Sequence, residues 1–274
     1  MKSKSSIFAN ISGIFFIILM GFPVYWMVTT SFKKPEEVIS TEPTLIPSSL
    51  SLENYRKAFS RDGFFSSLQN SLIVVLVTVL ISLILATFAS IAIARMRFKG
   101  KRTFITFLLI IQMLPLTALI IPLFLLLTKL HLTNKLTGLS ITYVAFILPF
   151  TVWTLRGFLA NIPTELEDAA LVDGCNRFQA YRFVLMPLMA PGLVATAIFA
   201  FIQAWNEFLL AYIIMQSQDK LTLPVWLAGF TTRTGTDWGP LMAASTITAL
   251  PVVIFFALIQ KRIATGVTAG AVKG

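Results

Sequence analysis

Carboxylates are scarce in this chain, and their placement bounds the chemistry open to it. Glu207, in the stretch QAWNEFLLAY, is the one carboxylate inside a long apolar run. An ionisable group in such a place is costly and turns toward a bundle interior or a water-filled cavity. Gln203 and Asn206 share its face at helical spacing, and Gln112 lies beside Pro115 in IIQMLPL. Gln112, Gln203, Asn206 and Glu207 are therefore candidates to line a translocation path or its outer gate. Glu207 has a second reading, as a helix-packing carboxylate paired with a base from an outer loop. No catalytic set is expected. A single histidine, His131, and a single cysteine, Cys175, build neither a metal cluster nor an internal disulfide. Gly100-Lys101-Arg102 lacks the earlier glycine of a phosphate-binding loop, since Arg95 stands there, and the Ser or Thr after the lysine. The chain is thus expected to have no nucleotide site, no cofactor and no enzymatic activity of its own.

Four further acids lie close together in NIPTELEDAALVDGCNRFQAYRFVLMPLMAP, Asn161 to Pro191, a polar interval between two apolar runs. Glu165, Glu167, Asp168 and Asp173 share it with Arg177 and Arg182. A short helix is expected from Pro163, with Thr164 and Glu167 at capping-box spacing and the acids near the positive end of the helix dipole. Leu166, Ala169, Ala170 and Val172 give it an apolar side, and Gly174 supplies the left-handed residue that ends it. A second short helix, Asn176 to Leu185, is expected to stop before Pro187.

The elements that position these groups follow from composition. Hydrophobic residues make up 56% of the chain and charged ones 12%, with a mean hydropathy of +0.81, so this is an integral membrane protein. Six continuous apolar runs are long enough to span: about 11–31, 70–94, 103–128, 136–155, 189–215 and 241–259. They do not alternate as barrel strands would, so an all-α polytopic helix bundle is expected, one transmembrane domain over 1–274. The first run lacks a cleavage site and reads as a retained span. The net charge of +10 speaks of orientation rather than nucleic acid. Arg95, Arg97, Lys99, Lys101 and Arg102 follow the second run without an acid, and Lys2, Lys4, Lys261, Arg262 and Lys273 flank the ends. By the positive-inside rule both termini, the loop 161–188 and the tail 260–274 are cytoplasmic. The loop 32–69 then covers the outer mouth, either as a lid on its own spans or as a contact for an outside partner. Pro23, Pro115, Pro122, Pro149 and Pro251 fall inside spans and tend to kink them.

The polar interval resembles the EAA motif of the membrane subunits of binding-protein-dependent ABC importers. Asp168-Ala169-Ala170, three residues, Gly174 and then Met186-Pro187 match its spacing, with Asp168 where the family has Glu. FPVYWMVTTSFK from Phe22, WNEFLLA from Trp205, LTLPVWLAGF from Leu221, TDWGPLMAAS from Thr236 and the tail from Gly266 are similar to the carbohydrate branch. The likeness runs end to end and is to the smaller, six-span permease of maltose-type sugar importers. It implies the type I ABC importer permease fold in a bacterial or archaeal cell (inner) membrane. It implies a coupling helix holding Glu165, Glu167, Asp168, Ala169, Ala170, Asp173 and Gly174, docked on a separate ATPase. The implied partners are a second homologous permease, two copies of a cytoplasmic ABC ATPase that binds ATP and Mg, an extracytoplasmic sugar-binding protein, and membrane lipid. The tail from Ala269 to Gly274 would reach toward the ATPase interface. The expected cargo is a disaccharide or short oligosaccharide, among them maltose, trehalose or diacetylchitobiose. An ion-coupled secondary carrier and a non-transporting membrane scaffold are the competing readings. One membrane carboxylate and no buried base argue against the first.

Overall fold

The computed structural model describes the backbone from residue 4 to 271 and side chains from 10 to 257. Residues 272–274 of the expected tail, and the side chains of Lys2, Lys4, Lys261, Arg262, Lys273 and of the whole tail from Ala269 to Gly274, fall outside the described residues. The fold is helical: α1 (Lys4–Ser31), α2 (Pro35–Val38), α3 (Glu53–Ser60), α4 (Phe64–Arg95), α5 (Lys101–Met113), α6 (Leu116–Lys129), α7 (Leu136–Ala160), α8 (Glu165–Val172) and α9 (Arg177–Ala180) come first. A π turn at Tyr181–Leu185 leads into α10 (Met186–Trp205), followed by α11 (Leu209–Ile214), α12 (Leu223–Ala228) and α13 (Trp238–Ala271). Between α12 and α13, β1 (Thr231–Thr232) and β2 (Gly235–Thr236) form a small antiparallel hairpin. Among the described residues, five helices are long and apolar enough to cross a membrane, and α5 with α6 makes a sixth span if taken together.

Two of the expected spans are built differently. The run 103–128 is not one helix: α5 and α6 meet at a 99° bend. Pro115 has no N–H to give the ladder, and Leu114 before it is extended at φ −70° and ψ 128°. The run 189–215 is likewise interrupted, because α10 ends at Trp205 and the chain turns through Asn206 to Phe208 before α11.

The chain divides into two compact units. In the first, residues 1–64 with 225–251, Asn54 is buried and donates to the carbonyls of Ser31 and Lys33. Arg61 donates to Gly229 O at 2.6 Å with its guanidinium 4.2 Å from the Phe230 ring, and Trp226 Nε1 donates to Asp62 O. These contacts pin the segment between α1 and α4 without a large apolar core. In α1 itself, the most apolar eighteen-residue window has none of its residues buried against the chain.

The second unit, residues 65–224 with 252–274, is the packed bundle. α4 turns a stripe of small residues inward, Ser67, Ser71, Thr78, Ser82, Ala86 and Ser90, all buried. Small side chains let helix backbones approach, which is how apolar helices associate where water does not drive them together. One core cluster joins Ala86 and Ile93 to Leu108, Val152 and Leu155; another joins Ile91 to Leu159, Leu185 and Met189. Gly192 of α10 lies so close to α7 that a Cβ there would stand 2.6 Å from the Phe158 ring.

Candidate functional site

The polar interval folds as a helix, a glycine turn and a second helix. α8 begins at Glu165, two residues past Pro163, and the Thr164 side chain makes no capping bond. The expected Thr164–Glu167 capping box is absent because Glu167 is engaged elsewhere: its Oε1 accepts from Arg95 Nε at 2.6 Å. Arg95 Nη2 also donates to Ile162 O at 2.8 Å. The box forms one helix later. Asn176 Oδ1 accepts from Gln179 N at 2.9 Å, and Gln179 Oε1 accepts from Asn176 N at 2.8 Å.

Gly174 ends α8 as its position predicts, at φ +91°. Cys175 N donates to Ala170 O and Gly174 N to Leu171 O, the paired 6→1 and 5→2 bonds of a Schellman motif. The last carbonyls of α8 are thereby satisfied, and the chain reverses in two residues.

The second helix does not stop before Pro187. It passes through the π turn, where Met186 N donates to Tyr181 O, and continues as α10 with Pro187 in its first turn. A proline ring clashes with the carbonyl four residues back in a regular α-helix, and the wider π turn moves that carbonyl aside. Arg177 to Trp205 is therefore one unbroken helical segment of 29 residues.

Among the expected coupling residues, Glu165, Asp168, Ala169, Asp173 and Gly174 are exposed, and with Leu166 and Val172 they form an open surface. Glu167 and Ala170 are buried and belong to the inner side of α8. A cavity of about 120 Å3 lies behind this surface, lined by Arg95, Thr164, Glu167, Asp168 and Arg177 among others.

The polar groups of the apolar runs meet only in part. Glu207 sits at the break after α10, where Tyr143 donates its hydroxyl hydrogen to Oε2 at 2.6 Å. Leu210 N donates to Oε1 at 2.7 Å and Ala211 N to Oε2 at 3.1 Å. The partners of Glu207 are thus a phenol and two amides rather than a base. Glu207, Gln203 and Tyr143 line one cavity of about 210 Å3 with Leu116, Phe146, Ile147, Ala204 and Leu210. Asn206 instead bonds back to Ile202 O, and Gln112 is exposed on α5 away from that lining. Sequence reasoning missed Tyr143 and the structural role of Arg95; a tyrosine at mid-run and a base closing an apolar run were the available signals.

A bundle of broken and continuous membrane helices, with a polar helix-turn-helix running straight into a span, makes this a polytopic membrane protein. Residues 82–269 match the family described as binding-protein-dependent transport system inner membrane component, and the chain belongs to that family. It is 43% identical over 268 residues to the diacetylchitobiose uptake system permease protein DasC of Streptomyces coelicolor, covering 98% of this chain and 97% of that one. It is 39% identical to the trehalose transport system permease protein SugB of Mycobacterium tuberculosis, covering 92% of each. The trehalose/maltose transport system permease protein MalG of Thermococcus litoralis is 35% identical, over 96% of this chain and 95% of the relative. A crystal structure of a bacterial ABC transporter that imports the acidic polysaccharide alginate has the same fold. There the TM-score is 0.82 at 22% identity, covering 95% of this chain and 98% of that one.

Proposed function

We propose that the chain is a permease subunit of an ATP-driven importer, forming half of the path for a disaccharide or short oligosaccharide. The observation that carries this is the α8–Gly174–α9 unit, closed by a Schellman turn and continuous with the span α10. A docking element that shared no rigid segment with the bundle could not drive it. The relatives named for diacetylchitobiose, trehalose and maltose support the sugar class.

In this reading α8 lies in the cytoplasm, as do both chain termini, and its exposed face of Glu165, Asp168, Ala169 and Asp173 docks on an ATPase. That ATPase, in two copies, binds ATP and Mg, and this chain holds no cofactor. A second homologous permease completes the path and covers bare apolar surface such as that of α1, with lipid on the rest. A sugar-binding protein delivers cargo from outside; one related alginate importer has been solved with its substrate-bound periplasmic protein. Closure of the ATPase pair displaces α8, the bundle tilts, and the cavity holding Gln203 and Glu207 is on the sugar's route. The glutamine and carboxylate offer hydrogen bonds to hydroxyls, and the surrounding Phe146 and Leu210 exclude bulk water.

The test is reconstitution with the second permease, ATPase and binding protein in vesicles. Sugar uptake is expected to require ATP, and Asp168→Lys is expected to release the ATPase while leaving membrane insertion intact. Uptake by this chain alone on an ion gradient would overturn the proposal, as would unchanged recovery of the ATPase with the Asp168→Lys protein.

A further inference from the structure

Arg95 is the last residue of α4, and its guanidinium reaches two other elements at once. Nε binds the Glu167 carboxylate of α8 at 2.6 Å, and Nη2 binds Ile162 O in the turn before α8 at 2.8 Å. The two side chains of the ion pair are only 8% and 11% exposed. Beside them lies the apolar cluster of Ile91, Leu159, Leu185 and Met189, with Ala94 and Ile162 packed against it, so the ends of α4, α7 and α10 share one core.

The covalent chain joins α8 to α7 on one side and to the α9–α10 rod on the other. It does not join α8 to α4, which is 72 residues away along the sequence at the ion pair. The Arg95–Glu167 pair supplies that missing connection. An exposed pair would exchange readily with water and transmit little. A pair withdrawn from water is costly to separate, because each charge left behind would be buried without compensation. The planar guanidinium suits the role, since it fixes a carboxylate and a carbonyl together where an ammonium is a single point of charge.

We propose that Arg95 is a positioning residue that carries the displacement of α8 into the span α4, so that α4 moves with α7 and α10 as one body. This rests on the reading of α8 as the ATPase-coupling helix. Arg95 touches neither cargo nor ATPase in this scheme; it sets how much transport each ATP yields.

The test compares Arg95→Gln, Arg95→Lys and the exchanged pair Arg95→Glu with Glu167→Arg in the full reconstituted importer, reading sugar uptake and ATP hydrolysis in the same vesicles. Arg95→Gln is expected to raise the ATP consumed per sugar by about tenfold while the ATPase still co-purifies, as expected for a lost coupling interaction. Arg95→Lys is expected to fall between, and the exchanged pair to recover most of the coupling. A merely structural role would lower uptake and hydrolysis together and leave their ratio unchanged; that result in Arg95→Gln overturns the proposal. If Arg95→Gln yields no complex, the ratio in Arg95→Lys decides, and a wild-type ratio there overturns it equally. Failure of the underlying reading is visible separately, as uptake by the wild-type assembly without ATP.

Discussion

The Tyr143 hydroxyl and the Glu207 carboxylate, 64 residues apart in sequence, meet at 2.6 Å where the helix α10 gives way to α11. The same carboxylate receives the first free amides of α11, from Leu210 and Ala211. One acid therefore closes a helix start and ties α7 to the break. Tyr143→Phe removes the donor but keeps the ring, so it is expected to lower stability by about 1–3 kcal/mol, the range for leaving one partner of a buried hydrogen bond unsatisfied. Thermal unfolding of the purified complex measures this. Glu207→Ala is expected to exceed it, because two amides and a buried phenol then lose their acceptor; equal losses in both variants would contradict the assignment.

Gly174 stands at φ +91° with open space around it, so backbone conformation rather than crowding selects glycine. Gly174→Val is expected to abolish uptake, since a β-branched residue in the left-handed region costs at least about 1–2 kcal/mol and unwinds the turn between α8 and α9. Gly174→Asn, a residue that visits this region, is expected to retain part of the transport. Normal uptake by the valine variant would refute this.

Gly192 is selected by crowding instead. Gly192→Ala places a methyl against the Phe158 ring and is expected to cost about 1–3 kcal/mol, as overpacking does. The double variant Gly192→Ala with Phe158→Ala is expected to regain stability relative to the sum of the single changes. Strict additivity in the thermal unfolding of the four proteins would show that α7 and α10 do not meet there.

Glu37 gives the segment between α1 and α4 a dependence on pH. The Thr44 hydroxyl donates to Glu37 Oε1, and Ser48 donates through both its amide and its hydroxyl, holding the carboxyl below its ordinary value. A carboxyl lowered in the folded state stabilises above its unfolded value, and that contribution is lost as pH falls through the folded one. Amide exchange at Ser48 is therefore expected to accelerate below the ordinary carboxylate range, about pH 4. Glu37→Gln is expected to remove that step; if it persists, another group is responsible.

The spans and the glycine turn were legible because each leaves a local signature: continuous apolar runs, a proline at the α5–α6 bend, and a glycine separated by three residues from Asp168-Ala169-Ala170. What sequence reading misplaced depended on distant partners. Glu167 looked like a cap for Thr164, but Arg95, on another helix, binds the same carboxylate with a full charge. Pro187 looked like a helix stop because the rule against proline assumes regular α turns, and nothing local announced the π turn that relaxes it. Glu207 was recognisable as exceptional, whereas Tyr143 was one aromatic among many in an apolar run.

The π turn at Tyr181–Leu185 has a mechanical consequence. It keeps the helix unbroken from Arg177 to Trp205, a length of roughly 43 Å at 1.5 Å for each of its 29 residues. On the proposed coupling, a displacement at Phe178 travels along this segment, with no loop to interrupt it, to the end beside Glu207 as tilt or translation.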